Sequence, residues 1–285
     1  MGVEKDIVDY RDNLNFVFGE YGYYGGNQRY PSEHIDDYKD LVYNHQLNFG
    51  YENVIDFLQK LNSEGCTYTA FANSVFLYFR DEPELFEEIF EIPFYTIDGR
   101  PNIHALLVDF YSSMDNHNPK YFLFYKEDYV NRKEDYSAIK GSGADDVQIE
   151  WRFERYMRKH GIVVDVKRIK KEKIDKDFEK YFSRGPIVVS TRPNTLYDMN
   201  GKAVFDSPNG HAMMVTKKCE NGLLMVSSWG RKYYVKPNSY EKYEYYQQVI
   251  YKDIPRSKFK RWFIAKVRFP RPWWVKLSVW AYNNC

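Results

Sequence analysis

Ser63-Glu64-Gly65-Cys66-Thr67-Tyr68-Thr69-Ala70-Phe71-Ala72-Asn73 sets a cysteine where a helix begins. Gly65 breaks the chain just before it. From Thr67 to Phe79, small residues (Ala70, Ala72, Ser74) alternate with large ones (Phe71, Val75, Phe76, Leu77, Phe79). The pattern predicts a helix apolar on most sides, hence central and buried. A thiol on its first turn meets the positive partial charge of the helix N-terminus, which favours the thiolate.

Working outward, Val54, Phe57, Leu58 and Leu61 keep helical spacing on the upstream side. Downstream, Glu84 to Phe90 and Asn102 to Met114 read as short helices. Gly141-Ser142-Gly143-Ala144 is a loop, and Asp145-Asp146 opens a helix that runs to His160 and is closed by Gly161. Ile162 to Val166 is a strand, Ile174 to Phe182 an amphipathic helix, and Ile187 to Thr191 a buried strand. His211 to Lys217 and Leu223 to Ser228 flank Glu220-Asn221-Gly222, and Asn-Gly at such a joint marks a hairpin. Simple pairing across it sets Ser227 opposite Thr216. Tyr233 to Lys236 and Trp262 to Phe269 read as further strands. Helices followed by mostly antiparallel strands make an α+β fold. The expected layout is one domain over 1–285. It comprises a loosely structured arm at 1–50, a helical lobe at 51–135 with Cys66, a mainly β lobe at 145–270 with His211, and a tail at 271–285.

Composition narrows the function classes. At 285 residues and 44% hydrophobic, the chain can bury a sizeable core. A net charge of +1 argues against nucleic acid as a partner held by bulk attraction. The run Lys167 to Lys173 is read as a solvated edge. Three cysteines (Cys66, Cys219, Cys285) do not make a disulfide framework. The first residues lack the layout of a secretory signal, and no apolar run is long enough to span a bilayer, so a cytoplasmic setting is the default, with export by a signal-free route as the exception. No C-x-x-C or H-E-x-x-H occurs, so neither metal nor cofactor is expected.

Two further motifs carry chemistry. Asn209-Gly210-His211-Ala212-Met213-Met214-Val215 opens an apolar strand with a histidine, and Val226-Ser227-Ser228-Trp229-Gly230 closes the next one. Acyl transfer needs a nucleophile, a base beside it and donors for the oxyanion. Cys66 and His211 supply the first two, and the amide at the helix start supplies a donor.

Gly65-Cys66-Thr67-Tyr68-Thr69-Ala70, Gly210-His211-Ala212-Met213 and Ser228-Trp229-Gly230 resemble papain-like cysteine peptidases, in particular the bacterial staphopain-like and bacteriocin-leader-peptidase-like branches. The resemblance covers residues 59–79 and 186–235. The separation of Cys66 and His211 also suits the ~130–150 residues usual in papain-type chains. It implies a two-lobed fold with the Cys-bearing helix against an antiparallel sheet. It also implies Cys66 as nucleophile, His211 as general base and acid, Gln59 as side-chain oxyanion donor (one residue further upstream than usual), and Trp229 as a site wall. Such helices also look like those of papain-fold toxin or effector domains. The chain departs from the family at Ser227, which stands where Asn or Asp accepts the second imidazole N–H. A serine can accept that bond but reaches less far. Asp206 and Asn209 are the alternative partners for the ring.

The implied function is a cysteine hydrolase acting on a protein or peptide substrate through a thioester. The alternatives are a protein-glutamine deamidase or acyl transferase using the same pair, and a catalytically silent binding module, which Ser227 favours. The cleft walls are expected near 92–101, 141–146 and 192–209. From Ile254 to Cys285 the chain carries eight Lys and Arg, no acidic residue, and Trp262, Trp273, Trp274 and Trp280. Membrane-surface contact by this tail is the disfavoured reading, because Pro270 and Pro272 break a continuous amphipathic helix. A closing strand and a tail wrapped on the body is the favoured one.

Overall fold

The computed structural model describes residues 16–18, 21–45, 51–113, 146–240 and 242–266. The expected loop at 141–145 and tail at 271–285 lie outside them. The architecture is α+β: helices combined with an antiparallel sheet. The chain forms two compact units, one drawn from 1–27, 69–103 and 165–251, the other from 28–68, 104–164 and 252–285. The units interleave along the sequence, whereas the expected lobes were consecutive stretches.

The first unit is built on an eight-stranded sheet. Its strands are β3 (Val163–Ile169), β4 (Ile187–Arg192), β5 (Asn194–Tyr197), β6 (Ala203–Ser207), β7 (His211–Lys218), β8 (Leu224–Ser228), β9 (Arg231–Val235) and β10 (Tyr243–Asp253). Their order is β3-β10-β4-β7-β8-β9-β5-β6. A separate small ribbon pairs β1 (Phe16–Phe18) with β2 (Tyr21–Tyr23). One face of the large sheet presents Ile187, Val189, Met213, Val215, Leu224 and Val226 to Ile174, Phe178 and Phe182 of a helix at Lys171–Phe182. That helix alternates its apolar residues at three- and four-residue steps, so one stripe covers the sheet. Residues 69–79 of the helix Cys66–Phe79 also belong to this unit, and Asn73 among them reaches Ser227 on the opposite face. Within residues 67–79 of that helix only Tyr78 is exposed. Phe76 and Phe79 interlock with Phe86 and Phe90 of the next helix, Pro83–Phe90.

The second unit is helical. In chain order the helices of the whole chain are α1 (Tyr30–Glu33), α2 (Ile35–His45), α3 (Tyr51–Glu64), α4 (Cys66–Phe79), α5 (Pro83–Phe90), α6 (Ile103–Ser112), α7 (Asp146–Lys159), α8 (Lys171–Phe182) and α9 (Lys258–Lys266) among the described residues. The second unit holds α1 to α3, the first turn of α4, most of α6, and α7 and α9. Its core is aromatic: Phe57 and Tyr68 pack on Tyr111, and Phe110 packs on Tyr68, Phe153 and Tyr156. Tyr156 keeps its phenol protonated in this core, since burial pushes it up and it donates to Asp109 at 2.6 Å.

The structure corrects several expectations. Residues 30–45, taken as part of a loose arm, form α1 and α2. Trp262 lies in a helix, not a strand, because Arg261 and Ile264 are the buried positions and their spacing is helical. β10 was not foreseen. Its Tyr- and Gln-rich sequence lacks a period-2 apolar pattern, yet Tyr246, Gln247, Gln248 and Val249 are all buried beside β4. The β7–β8 hairpin carries a bulge between Val215 and Lys217, so Ser227 pairs with Met214 and not Thr216.

Gly161 ends the α7 segment with φ +76, and a Cβ there would fall within 2.4–2.6 Å of Arg261 atoms, including its backbone. The α9 backbone therefore rests directly on this glycine. Gly161→Ala is expected to lower stability by about 1–3 kcal/mol, through the strained φ and the forced retreat of α9. Urea denaturation followed by circular dichroism measures it, and an unchanged midpoint would contradict this seating.

Candidate functional site

The sequence places two chemical groups of interest, and each is built by its own unit: Cys66 by the second and His211 by the first.

Around Cys66, α3 closes with the Gly65 amide bonded to the Leu61 carbonyl at 2.7 Å. The chain then starts α4 with Cys66 as its first residue. Cys66 is a half-buried thiol whose Sγ stands 3.9 Å from the Thr67 hydroxyl. A helix start carries positive partial charge, which favours a negative charge placed beside it. Tyr68 follows, with burial pushing its phenol up against the opposing pull of Arg152, whose guanidinium donates to Tyr68 Oη at 3.0 Å. Gln28 is buried nearby in the fold of this unit, and its Nε2 donates to the Asn62 carbonyl at 2.6 Å in the last turn of α3. Gln59, by contrast, is exposed in the body of α3. Gln28 lies far upstream of the cysteine, with no local motif to mark it, so the sequence reading passed over it.

Around His211, the constraints are tighter. His211 is the first residue of β7, and only 7% of its surface is exposed. Its Nε2 lies 2.7 Å from Ser228 Oγ. The indole of Trp229 stacks on the imidazole, with centroids 4.4 Å apart and planes 23° from parallel. Phe205 packs edge-on against the same indole, with centroids 4.9 Å apart. Trp229 and Gly230 form the two-residue turn between β8 and β9, and both have positive φ, +48 and +70. Hairpin turns of this twist prefer Asn or Gly at such positions. A tryptophan there costs about 1–3 kcal/mol of backbone strain. The His211 and Phe205 contacts offset that cost, and they require the indole to sit there.

The serine that meets the ring is Ser228, not Ser227, the one expected in that role. Successive residues of a strand point to opposite faces, so only one of the pair can share a face with His211. The bulge sets Ser227 against Met214. One step on, Ser228 faces Met213, two residues along β7 from His211 and on its side. Ser227 turns the other way. Its hydroxyl donates to the Tyr24 carbonyl at 2.5 Å and accepts from Asn73 Nδ2 at 3.2 Å. Of the alternatives, Asp206 Oδ1 accepts from Thr195 Oγ1 at 2.6 Å, and the backbone N–H of Asn209 donates to Ser207 Oγ at 3.3 Å.

Residues 24–26 run as a strap between α4 and β8. Asn73 Oδ1 takes the Gly26 amide at 2.8 Å, the Tyr24 amide donates to the Gly230 carbonyl at 2.5 Å, and the Gly230 amide donates to the Gly26 carbonyl at 3.0 Å. Gly25 has φ +80, and a Cβ there would lie 2.2 Å from Ser227 Oγ, so only glycine passes. The Tyr24 phenol donates to Thr216 Oγ1 at 2.6 Å, the residue that the bulge displaces. Among the described residues, no cluster of three His, Cys, Asp or Glu side chains forms a metal site. Among the described residues, no helix is long and apolar enough to cross a membrane either.

The two serines separate cleanly in an experiment. Ser227→Ala leaves Asn73 Nδ2 without its buried acceptor and is expected to cost about 1–3 kcal/mol in chemical denaturation. Ser228→Ala, and not Ser227→Ala, is expected to shift the His211 ring nitrogen signals in ¹⁵N NMR. The reverse assignment of effects would contradict the pairing described.

Comparisons with known proteins found no match among family models, curated proteins or solved structures.

Proposed function

We propose that this chain is a cysteine hydrolase of papain-like, two-lobed fold that cuts peptide or isopeptide bonds through a thioester. Cys66 is the nucleophile and His211 the general base and acid. The observation that carries the reading is the held imidazole. A histidine at a strand start, bonded through one nitrogen and stacked on a strained tryptophan, is oriented as a proton carrier has to be. A half-buried thiol on the first turn of a buried helix supports the other half.

The Cys66 thiolate attacks the carbonyl carbon, and the carbonyl oxygen becomes an oxyanion facing the Cys66 amide. Collapse of this intermediate breaks the C–N bond, and the leaving amine takes a proton from the His211 imidazolium. The neutral imidazole then removes a proton from water, whose oxygen attacks the thioester. The acid product departs, and the thiol–imidazole pair is restored. Ser228 accepts the ring N–H and steadies the imidazolium, the task that the resemblance gives to Ser227. Trp229 shields that bond from water. The resemblance assigns a side-chain oxyanion donor to Gln59. Since Gln59 is exposed within α3, we assign that role instead to Gln28, an amide buried beside the turn that starts α4.

Iodoacetamide alkylation across pH, read by peptide mass spectrometry, tests the pairing. Cys66 is expected to react well below the ordinary thiol pKa of ~8.5, with that low-pH arm lost in His211→Ala. Cys219 serves as the internal reference. Equal pH profiles for Cys66 and Cys219, unchanged by His211→Ala, would sink the proposal. With a reactive thiol in hand, a peptide library followed for new amines against free ammonia tells hydrolysis from glutamine deamidation.

A further inference from the structure

The last described helix exposes its apolar side chains. In α9, Phe259 is 73% exposed, Trp262 55% and Phe263 56%, while Arg261 and Ile264 are buried. At about 100° per residue, the three aromatics fall within one arc of roughly 100°. Lys266 lies inside that arc, Lys258 borders it on one side and Lys260 on the other. Phe259 and Trp262 are stacked at 5.8 Å, so the aromatic face is continuous.

The opposite side of α9 is anchored. Arg261 donates through Nη1 to the carbonyls of Pro255 at 2.7 Å and Arg256 at 2.9 Å, and its backbone sits on Gly161. These bonds pin the first turn and fix which face looks outward. The segment that forms that face carries Arg256, Lys258, Lys260 and Lys266. Asp253 is paired with Lys260 at 2.9 Å. From Ile254 to Cys285 the sequence carries no acidic residue.

We propose that this face docks the chain onto an anionic lipid surface. A large aromatic stripe in water needs a partner. Protein interfaces deplete lysine, and Lys258, Lys260 and Lys266 border these aromatics. A bilayer interface accommodates both groups. Phe259, Trp262 and Phe263 enter the headgroup–acyl boundary, while the lysines lay their stems along it and hold their ammonium groups against lipid phosphates and carboxylates. The prolines at 270 and 272 lie outside the described residues. The proposal is independent of the Cys66–His211 chemistry.

Vesicle co-sedimentation of the full chain tests it, with phosphatidylcholine vesicles and with vesicles enriched in phosphatidylserine. The expected result is binding to the phosphatidylserine vesicles, weakened by salt. It falls at least ~10-fold in Phe259→Ser with Phe263→Ser, and falls again in Lys258→Glu with Lys266→Glu. Both pairs are solvent-facing, and circular dichroism checks that each variant keeps its fold. Three outcomes overturn the proposal. They are no binding to either vesicle, equal binding to the neutral vesicles, and wild-type binding by the aromatic variant. A concentration-dependent dimer abolished by the aromatic substitutions, with no lipid binding, would assign the face to a second copy of the chain instead.

Discussion

The side-chain amide of Asn73 ties the buried helix α4 to the strap at 24–26 and to strand β8 at once. Its oxygen takes the Gly26 amide and its nitrogen gives to Ser227. Asn73 and Ser227 are both almost fully buried, so each bond replaces one that water would otherwise make. Ser227 in turn reaches the Tyr24 carbonyl, and Gly26 and Tyr24 bond to Gly230. The network leaves β8 no freedom to slide by one residue. A slip would turn Ser227 into the α8 core and strand three buried polar groups.

That constraint propagates to the imidazole. With Ser227 committed to the strap, Ser228 faces His211, and the chain must turn at Trp229-Gly230. The turn needs two residues with positive φ, and the first is a tryptophan. The indole makes ring contacts with both His211 and Phe205, which offset the strain. Residues far apart in sequence (Tyr24, Asn73, His211, Ser227, Trp229) thus hold a single ring orientation. A histidine immobilised at this cost is better suited to moving protons than to filling space, and this is the physical support for reading the chain as a hydrolase.

Much of the scaffold was legible beforehand because its period is local. Helix α4 was readable from its unbroken apolar sides, and α8, β4 and β7 from stripes of matching period. Gly161 was readable as a helix stop. Where the reading failed, a non-local contact decided. β10 lies inside the sheet although polar, because Tyr246, Gln247 and Gln248 are buried there. α9 mimics a strand in its aromatic content, and the placement of Arg261 on Gly161 makes it a helix with those aromatics outside.

The sequence by itself determined that a thiol opens a buried helix, that a histidine opens an apolar strand, and that a hairpin joins that strand to the Ser-Ser-Trp-Gly run. These depend on propensity, periodicity and turn chemistry, which act over a few residues. Only the tertiary structure decided which serine holds the ring. Neighbouring strand residues point to opposite faces, so one bulge and one buried amide were enough to give Ser227 to the helix and Ser228 to the histidine.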